Sequence, residues 1–366
     1  MLDAFWDQCA EQGVPLPTES PVTASAFCQA RAKISTDMLR LVVHETAAVT
    51  ERTFRKGARW EKRRAFAIDG SKFNLQRSPE LDARFGRPHG GHCPQVTVST
   101  LLNVANGVPY DVVVGPYGAS ERELLLDHLA VLRRGDVVVL DRGYPSHEVL
   151  RILLDHGVDF LVRVPASHTF DAIEAFKDSE GLDYRVVIPP ASDPQCGHDA
   201  IALRAVKLTN SHNEDSYFLT SLRRCDYSRA KIAALYRKRW EVEEHYKLEK
   251  SSYFDQHQFH ARSALGVRQE ILVQAIYIGI ARFMMAMAAE HADVDCRDLS
   301  TKSAVLALAE YVVRLFIGQR CSAPSWMQRL LERIARTRDL RRPGRSCPRR
   351  SFKPGPRWGP SGRRGA

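Results

Sequence analysis

Residues 236–250 read Tyr-Arg-Lys-Arg-Trp-Glu-Val-Glu-Glu-His-Tyr-Lys-Leu-Glu-Lys, acids and cations laid out at helical spacing. On a helix advancing about 100° per residue, Tyr236, Arg239, Glu243 and Lys250 share a stripe about 60° wide, with Trp240 and Lys247 on its flank. Glu241 and His245 fall on the far side, which leaves Glu243 as the acid central to the stripe. A single carboxylate ringed by cations is what a surface handling phosphates presents. The plainer account is a solvated helix with i,i+4 pairs such as Arg239 with Glu243, each worth about 0.3–0.5 kcal/mol.

Two aspartates upstream favour chemistry. Ala65-Phe-Ala-Ile-Asp69-Gly-Ser predicts a short buried strand that stops at Asp69, and Asp136-Val-Val-Val-Leu-Asp141-Arg-Gly-Tyr144 predicts a central strand that stops at Asp141. Three carboxylates, Asp69, Asp141 and Glu243, can hold two Mg²⁺ ions, with Mn²⁺ able to substitute, since hard cations take oxygen ligands and keep several waters. Two such ions activate an oxygen nucleophile, stabilise a leaving oxygen and neutralise charge in phosphodiester chemistry. The expected division has Asp69 bridging the ions while Asp141 and Glu243 each hold one.

The elements that must position these groups are legible between the aspartates. Gln95 to Val104 and Val108 to Val114 flank the turn signal Asn106-Gly107 and predict a hairpin. Ser120-Glu-Arg-Glu123 is a capping box opening a helix from Leu124 to Leu132. The order strand, hairpin, helix, strand is that of an α/β, RNase H-like (retroviral-integrase-like) core, whose first and fourth strands lie side by side. Asp69 and Asp141 are then neighbours.

These motifs resemble those of the DDE transposases of bacterial insertion sequences, specifically the insertion sequence 4 family. Asp69-Gly-Ser, Asp141-Arg-Gly-Tyr and the complete Tyr-x2-Arg-x3-Glu-x6-Lys signature at Tyr236, Arg239, Glu243 and Lys250 carry the resemblance. It runs from roughly Ala24 to Lys353, with weaker echoes in Ser25 to Arg31 and Arg345 to Arg349. The chain departs from the pattern at Leu75-Gln-Arg-Ser-Pro79, where the family has a proline sooner after the leucine, and its amino end looks short. The resemblance implies cut-and-paste DNA transposition: cleavage at transposon-end inverted repeats, a hairpin at the cut end, and transfer of the 3′ hydroxyl into target DNA by a synaptic homodimer. It also implies that Tyr236, Arg239 and Lys250 hold phosphates of the transposon end. Lys250 would lie about 10 Å along the helix from Glu243, away from the cut bond. Trp240 either stacks on an extruded base or packs on the sheet. The alternative function is an inactive, truncated descendant that binds transposon ends.

Charge fits a nucleic-acid partner. The formal net charge is +10 and the pI about 9.3. Residues 341–366 carry nine cations and no acid, so this tail holds nearly the whole excess and is expected to be disordered alone. A second cluster from Arg52 to Arg64 includes Arg55, Arg59 and Arg63 at spacing that would put cations on one helical face, and Arg142 adds a cation beside Asp141.

The domain organisation expected is a helical N-terminal segment at 1–62, the first part of the core at 63–166, a β-rich insertion at 167–222, the second part of the core at 223–300, C-terminal helices at 301–340 and the basic tail. Pro145 to Gly157 predicts a helix and Val158 to Val164 a strand. Tyr184 to Ile188, Ile201 to Leu208 and Tyr217 to Leu222 predict the strands of the insertion. Val267 to Ala289 approaches a membrane span in length, but Gln274 and Arg282 interrupt it, so a buried helix with Met284, Met285 and Met287 as core filling is expected, and no membrane partner. Two further helices, Ala304 to Ile317 and Ser325 to Arg336, should close the fold. The eight cysteines form no C-x-x-C pair, and no signal peptide opens the chain, consistent with the bacterial cytosol. His89-Gly-Gly-His92-Cys93 reads as a glycine-rich loop in preference to a metal site.

Overall fold

The computed structural model describes residues 2–11, 21–190, 199–210, 213–250, 259–317 and 323–339. The basic tail, with the Arg345 to Arg349 echo, lies outside the described residues.

One sheet organises the described chain. Its strands are β1 (Ala65–Asn74), β2 (Gln95–Asn103), β3 (Pro109–Pro116), β4 (Val137–Leu140), β5 (Asp159–Arg163), β6 (Asp183–Ile188), β7 (Ile201–Thr209) and β8 (Asp215–Thr220), in the order β3-β2-β1-β4-β5-β8-β7-β6. β1, β4 and β5 run parallel, and the other pairings are antiparallel. β1 and β4 are neighbours, as the order of elements predicts. The hairpin closes where Gly107 takes φ +69, a conformation that glycine adopts without steric cost. The stretch 167–222 supplies β6 to β8, which extend this same sheet, together with a short helix, α7 (Asp171–Lys177), that the strand-like periodicity did not announce.

Alternation along the central strands sorts the core into two layers. Ala65 and Ala67 of β1, Val137 and Val139 of β4 and Leu161 of β5 face one layer, with α8 (Arg229–Lys238), α9 (Trp240–Glu249) and the first half of α10 (Ala264–His291). Phe66, Ile68, Val138, Leu140, Phe160 and Val162 face the other, with α5 (Glu121–His128), α6 (His147–Asp155) and α7. β4 is wholly buried because both faces are covered, which is why its sequence is an unbroken apolar run. A third cluster joins the second half of α10, including Met284 and Met285, to α11 (Thr301–Ile317) and α12 (Ala323–Arg336). α10 is long and apolar enough to cross a membrane, but much of it is buried against the sheet and other helices, as expected of a core helix.

The N-terminal part is helical, as expected: α1 (Leu2–Glu11), α2 (Ala24–Ala32) and α3 (Thr36–Thr53), with α4 (Pro79–Phe85) following β1. Two expectations need correction. β1 does not stop at Asp69, because Gly70 to Asn74 continue the ladder opposite Ser99 to Gln95 of the long β2. The Arg52 to Arg64 cluster is not a helical face, because α3 ends at Thr53 and the chain then turns, with Glu61 and Lys62 at positive φ.

Candidate active site

The site begins with register. Ala65 pairs with Val137 and Ala67 with Val139, so the same register continued by two residues sets Asp69 level with Asp141 on strands about 4.8 Å apart. By alternation both aspartates lie on the face that carries α9. Each is held by its own turn: Asp69 Oδ1 accepts from the Gly70 amide at 2.9 Å, and Asp141 Oδ1 from the Gly143 amide at 2.6 Å.

α9 brings Glu243 to that face. Its anchor is Tyr246, whose hydroxyl lies 2.9 Å from the backbone carbonyls of both Asp69 and Val98, with Val242 buried beneath. The stretch expected as one helix is two, α8 and α9, meeting at Arg239. The Arg239 guanidinium is nearly buried; it donates to Glu243 Oε1 and stands 3.6 Å from Asp69 Oδ2, tying two of the three carboxylates together. Asp69, Gly70, Ser71, Glu243, Tyr246, Lys247 and Lys250 line a cavity of about 410 Å³. Lys250 Nζ donates to Ser71 Oγ at 2.6 Å, which places it on the wall of this cavity.

Burial pushes the Asp69 carboxyl up to about 6; Arg239 opposes the rise, while the nearby charges of Glu121 and Asp141 add to it. Burial and Asp141 likewise raise Glu121. Arg239 thus pairs with two carboxylates, and Glu121 and Asp141 add negative charge near Asp69. These are hard oxygen donors of the kind that Mg²⁺ and Mn²⁺ take, and a divalent cation would offset the burial and like charge that raise Asp69. The donor chemistry therefore fits divalent ions. With Glu243 turned onto Arg239, no three His, Cys, Asp or Glu side chains among the described residues converge closely enough to enclose an ion. The His89 to Cys93 loop likewise forms no such group.

The residues expected on DNA divide into two sets. Tyr236, Arg239 and Trp240 line a second cavity of about 1090 Å³ across the α8–α9 junction, together with Lys56, Arg59, Arg163, Arg237, Lys238, Arg282 and Arg297. Its four acids are Glu241, Glu244, Asp295 and Asp339, so cations outnumber them. Trp240 is 41% exposed; its Nε1 donates to Glu244 and Lys247 Nζ stands 4.6 Å from its ring centroid. Tyr236 packs edge-on against Phe218 with its ring partly buried. Arg55 and Arg142 are exposed. Arg59 and Arg63 are not on a shared basic face. Arg59 pairs with Glu51, Arg63 with Asp159, and the neighbouring Arg64 is buried against Asp136 and Tyr110. Sequence reasoning missed Tyr246, Ser71 and Glu121. Tyr246 and Ser71 sit within the motifs and could have been weighed there, but Glu121 looks like any acid in a helix's first turn.

Residues 60–279 match the family described as Transposase DDE domain. Over 149 residues the chain is 26% identical to "Putative transposase InsZ" of Escherichia coli (strain K12), a match covering 39% of this chain and 49% of that protein. The chain thus spans about half the length of that curated relative. Among solved structures, the piggyBac transposase synaptic complex with hairpin DNA aligns over 77% of this chain and 59% of that one, with 14% identity and a TM-score of 0.46. Endonuclease V of Ciona intestinalis, in complex with a 24mer DNA containing an inosine followed by a ribo-adenosine, aligns over 55% of this chain and 97% of that one, with 13% identity and a TM-score of 0.25.

Proposed function

Because this chain belongs to the transposase DDE domain family, we propose that it is a DNA transposase of the insertion sequence 4 type, which cleaves transposon ends and transfers the freed 3′ hydroxyl into target DNA. The observation that carries this reading is the placement of Asp69 and Asp141 at one level of adjacent parallel strands, on the sheet face to which Tyr246 anchors the Glu243 helix. The β3-β2-β1-β4-β5 order supports an RNase H-like core.

The family's chemistry implies a divalent metal, and we assign two Mg²⁺ ions, which Asp69, Asp141 and Glu243 would hold. Bound there, they would neutralise phosphoryl charge and activate the oxygen nucleophile. The protein's own groups position the substrate. Lys250, held by Ser71, faces a phosphate beside the reacting one. Arg239 can exchange its carboxylate partners for a phosphate, which frees Glu243 to turn toward Asp69. The larger basic cavity takes the backbone of the transposon end, and a homodimer in the bacterial cytosol brings two ends together.

The test incubates labelled duplexes from the DNA flanking the gene with the protein and Mg²⁺ or Mn²⁺, beside a Glu243→Gln variant. Metal-dependent cleavage at the repeat boundary, absent in the variant, is expected. Binding without cleavage by the wild type would make the chain an end-binding descendant, and cleavage that survives Glu243→Gln would remove this residue from the chemistry.

A further inference from the structure

The two aspartate motifs each carry a residue that the roles above leave unused, Gly70 after Asp69 and Tyr144 after Asp141. Both face the same side chain, Glu121.

Alternation turns position 70 to the face of β1 opposite Asp69, toward the layer that contains α5. A Cβ built on Gly70 would stand 2.8 Å from Glu121 Cγ and 2.9 Å from its Cδ and Oε1. The glutamate therefore occupies the space that any larger residue would fill. Gly70 is not at positive φ, so glycine serves close approach here and not backbone conformation. The backbone of Glu121 is fixed as the first residue of α5 by the capping box between Ser120 and Glu123. Tyr144 is fully buried, and its hydroxyl stands beside the Glu121 carboxylate and near those of Asp69 and Asp141.

A favourable interaction with the helix dipole would explain an acid in the first turn of α5. It would not explain why this side chain lies over Gly70, since Glu123 already completes the cap.

We propose that Glu121 is a fourth carboxylate of the divalent-metal site, reaching the ion held by the aspartates from the opposite layer of the sheet through the gap at Gly70. This rests on the reading of Asp69 and Asp141 as metal ligands.

The test titrates Mn²⁺ into the metal-free full chain and measures free Mn²⁺ by electron paramagnetic resonance, for the wild type, Glu121→Gln, Gly70→Ala and Asp69→Asn, with thermal melting of each. Glu121→Gln is isosteric, and Gly70→Ala pushes the flexible glutamate aside without touching its charge. Both are expected to weaken Mn²⁺ binding by at least about tenfold while melting as cooperatively as the wild type. Wild-type affinity in Glu121→Gln, with binding lost in Asp69→Asn, overturns the proposal and leaves the aspartate site standing. Unchanged affinity in Asp69→Asn, or no saturable binding by the wild type, overturns both.

Discussion

At the scale of the residue, the site is held in a state that costs stability. Asp69 is mostly buried beside other carboxylates, and its carboxyl is raised from the usual value to about 6. A carboxyl raised on folding contributes stability that is fully present below its unfolded value near 4 and lost as pH rises through 6. At pH 8 the metal-free protein therefore carries a penalty of up to about 3 kcal/mol at this one group. Asp69→Asn should raise the unfolding free energy by up to that amount at pH 8, with the gain fading between pH 6 and 4. Urea titrations at both ends of the range would check it, and a destabilised variant at pH 8 would contradict the burial argument. Arg63 and Arg64 teach the opposite lesson. They look like DNA ligands in the sequence, but their guanidinium groups are committed to Asp159 and Asp136.

At the scale of elements, one buried acid ties the N-terminal helix to the sheet. Asp111 of β3 is fully buried and accepts from Arg40 Nε at 2.7 Å and Arg40 Nη2 at 2.6 Å; His44 Nε2 lies 2.8 Å from it and His128 Nδ1 2.7 Å. α3, β3 and α5 thus meet at one carboxylate. Burial alone would raise its pKa, but the hydrogen bonds from Arg40, His128 and His44 outweigh it and hold the group well below the usual carboxylate range. A depressed carboxyl contributes stability present above its unfolded value near 4 and lost as pH falls below it. Asp111→Asn should cost about 3–5 kcal/mol at neutral pH, the usual penalty for breaking a buried pair from one side. The difference from wild type should shrink in acid, and equal stability at pH 7 would show that α3 is held elsewhere.

At the scale of the molecule, α9 separates a small cavity lined by Asp69, Glu243, Lys247 and Lys250 from a larger one rich in cations. If the basic cavity holds phosphates, affinity for the flanking duplex falls with salt by a logarithmic slope of about −0.9 per phosphate. Lys56 and Arg237 are exposed at its lining. Replacing both by Gln should make that slope shallower by about two, measured by fluorescence anisotropy across a salt series. An unchanged slope would move the DNA off this cavity.

The sequence by itself determined the candidate groups and their approximate setting. Asp69 and Asp141 stand out because each ends an apolar run, and Glu243 because it is the acid central to a helical stripe, while the hairpin and capping box between the aspartates fix the order in which the strands meet. Those are local signals, carried by periods of 2 and 3.6 and by turn residues. Only the tertiary structure decided which partner each charged group takes. Arg239 bridges Asp69 and Glu243, Arg59, Arg63 and Arg64 are used up in ion pairs, β1 runs past Asp69 because β2 is long enough to pair with it, and Glu121 lies over Gly70. Each of these contacts, except Arg239 with Glu243 and Arg59 with Glu51, joins residues far apart in sequence. Such contacts depend on strand register and on which layer a helix packs in, neither of which any local period encodes.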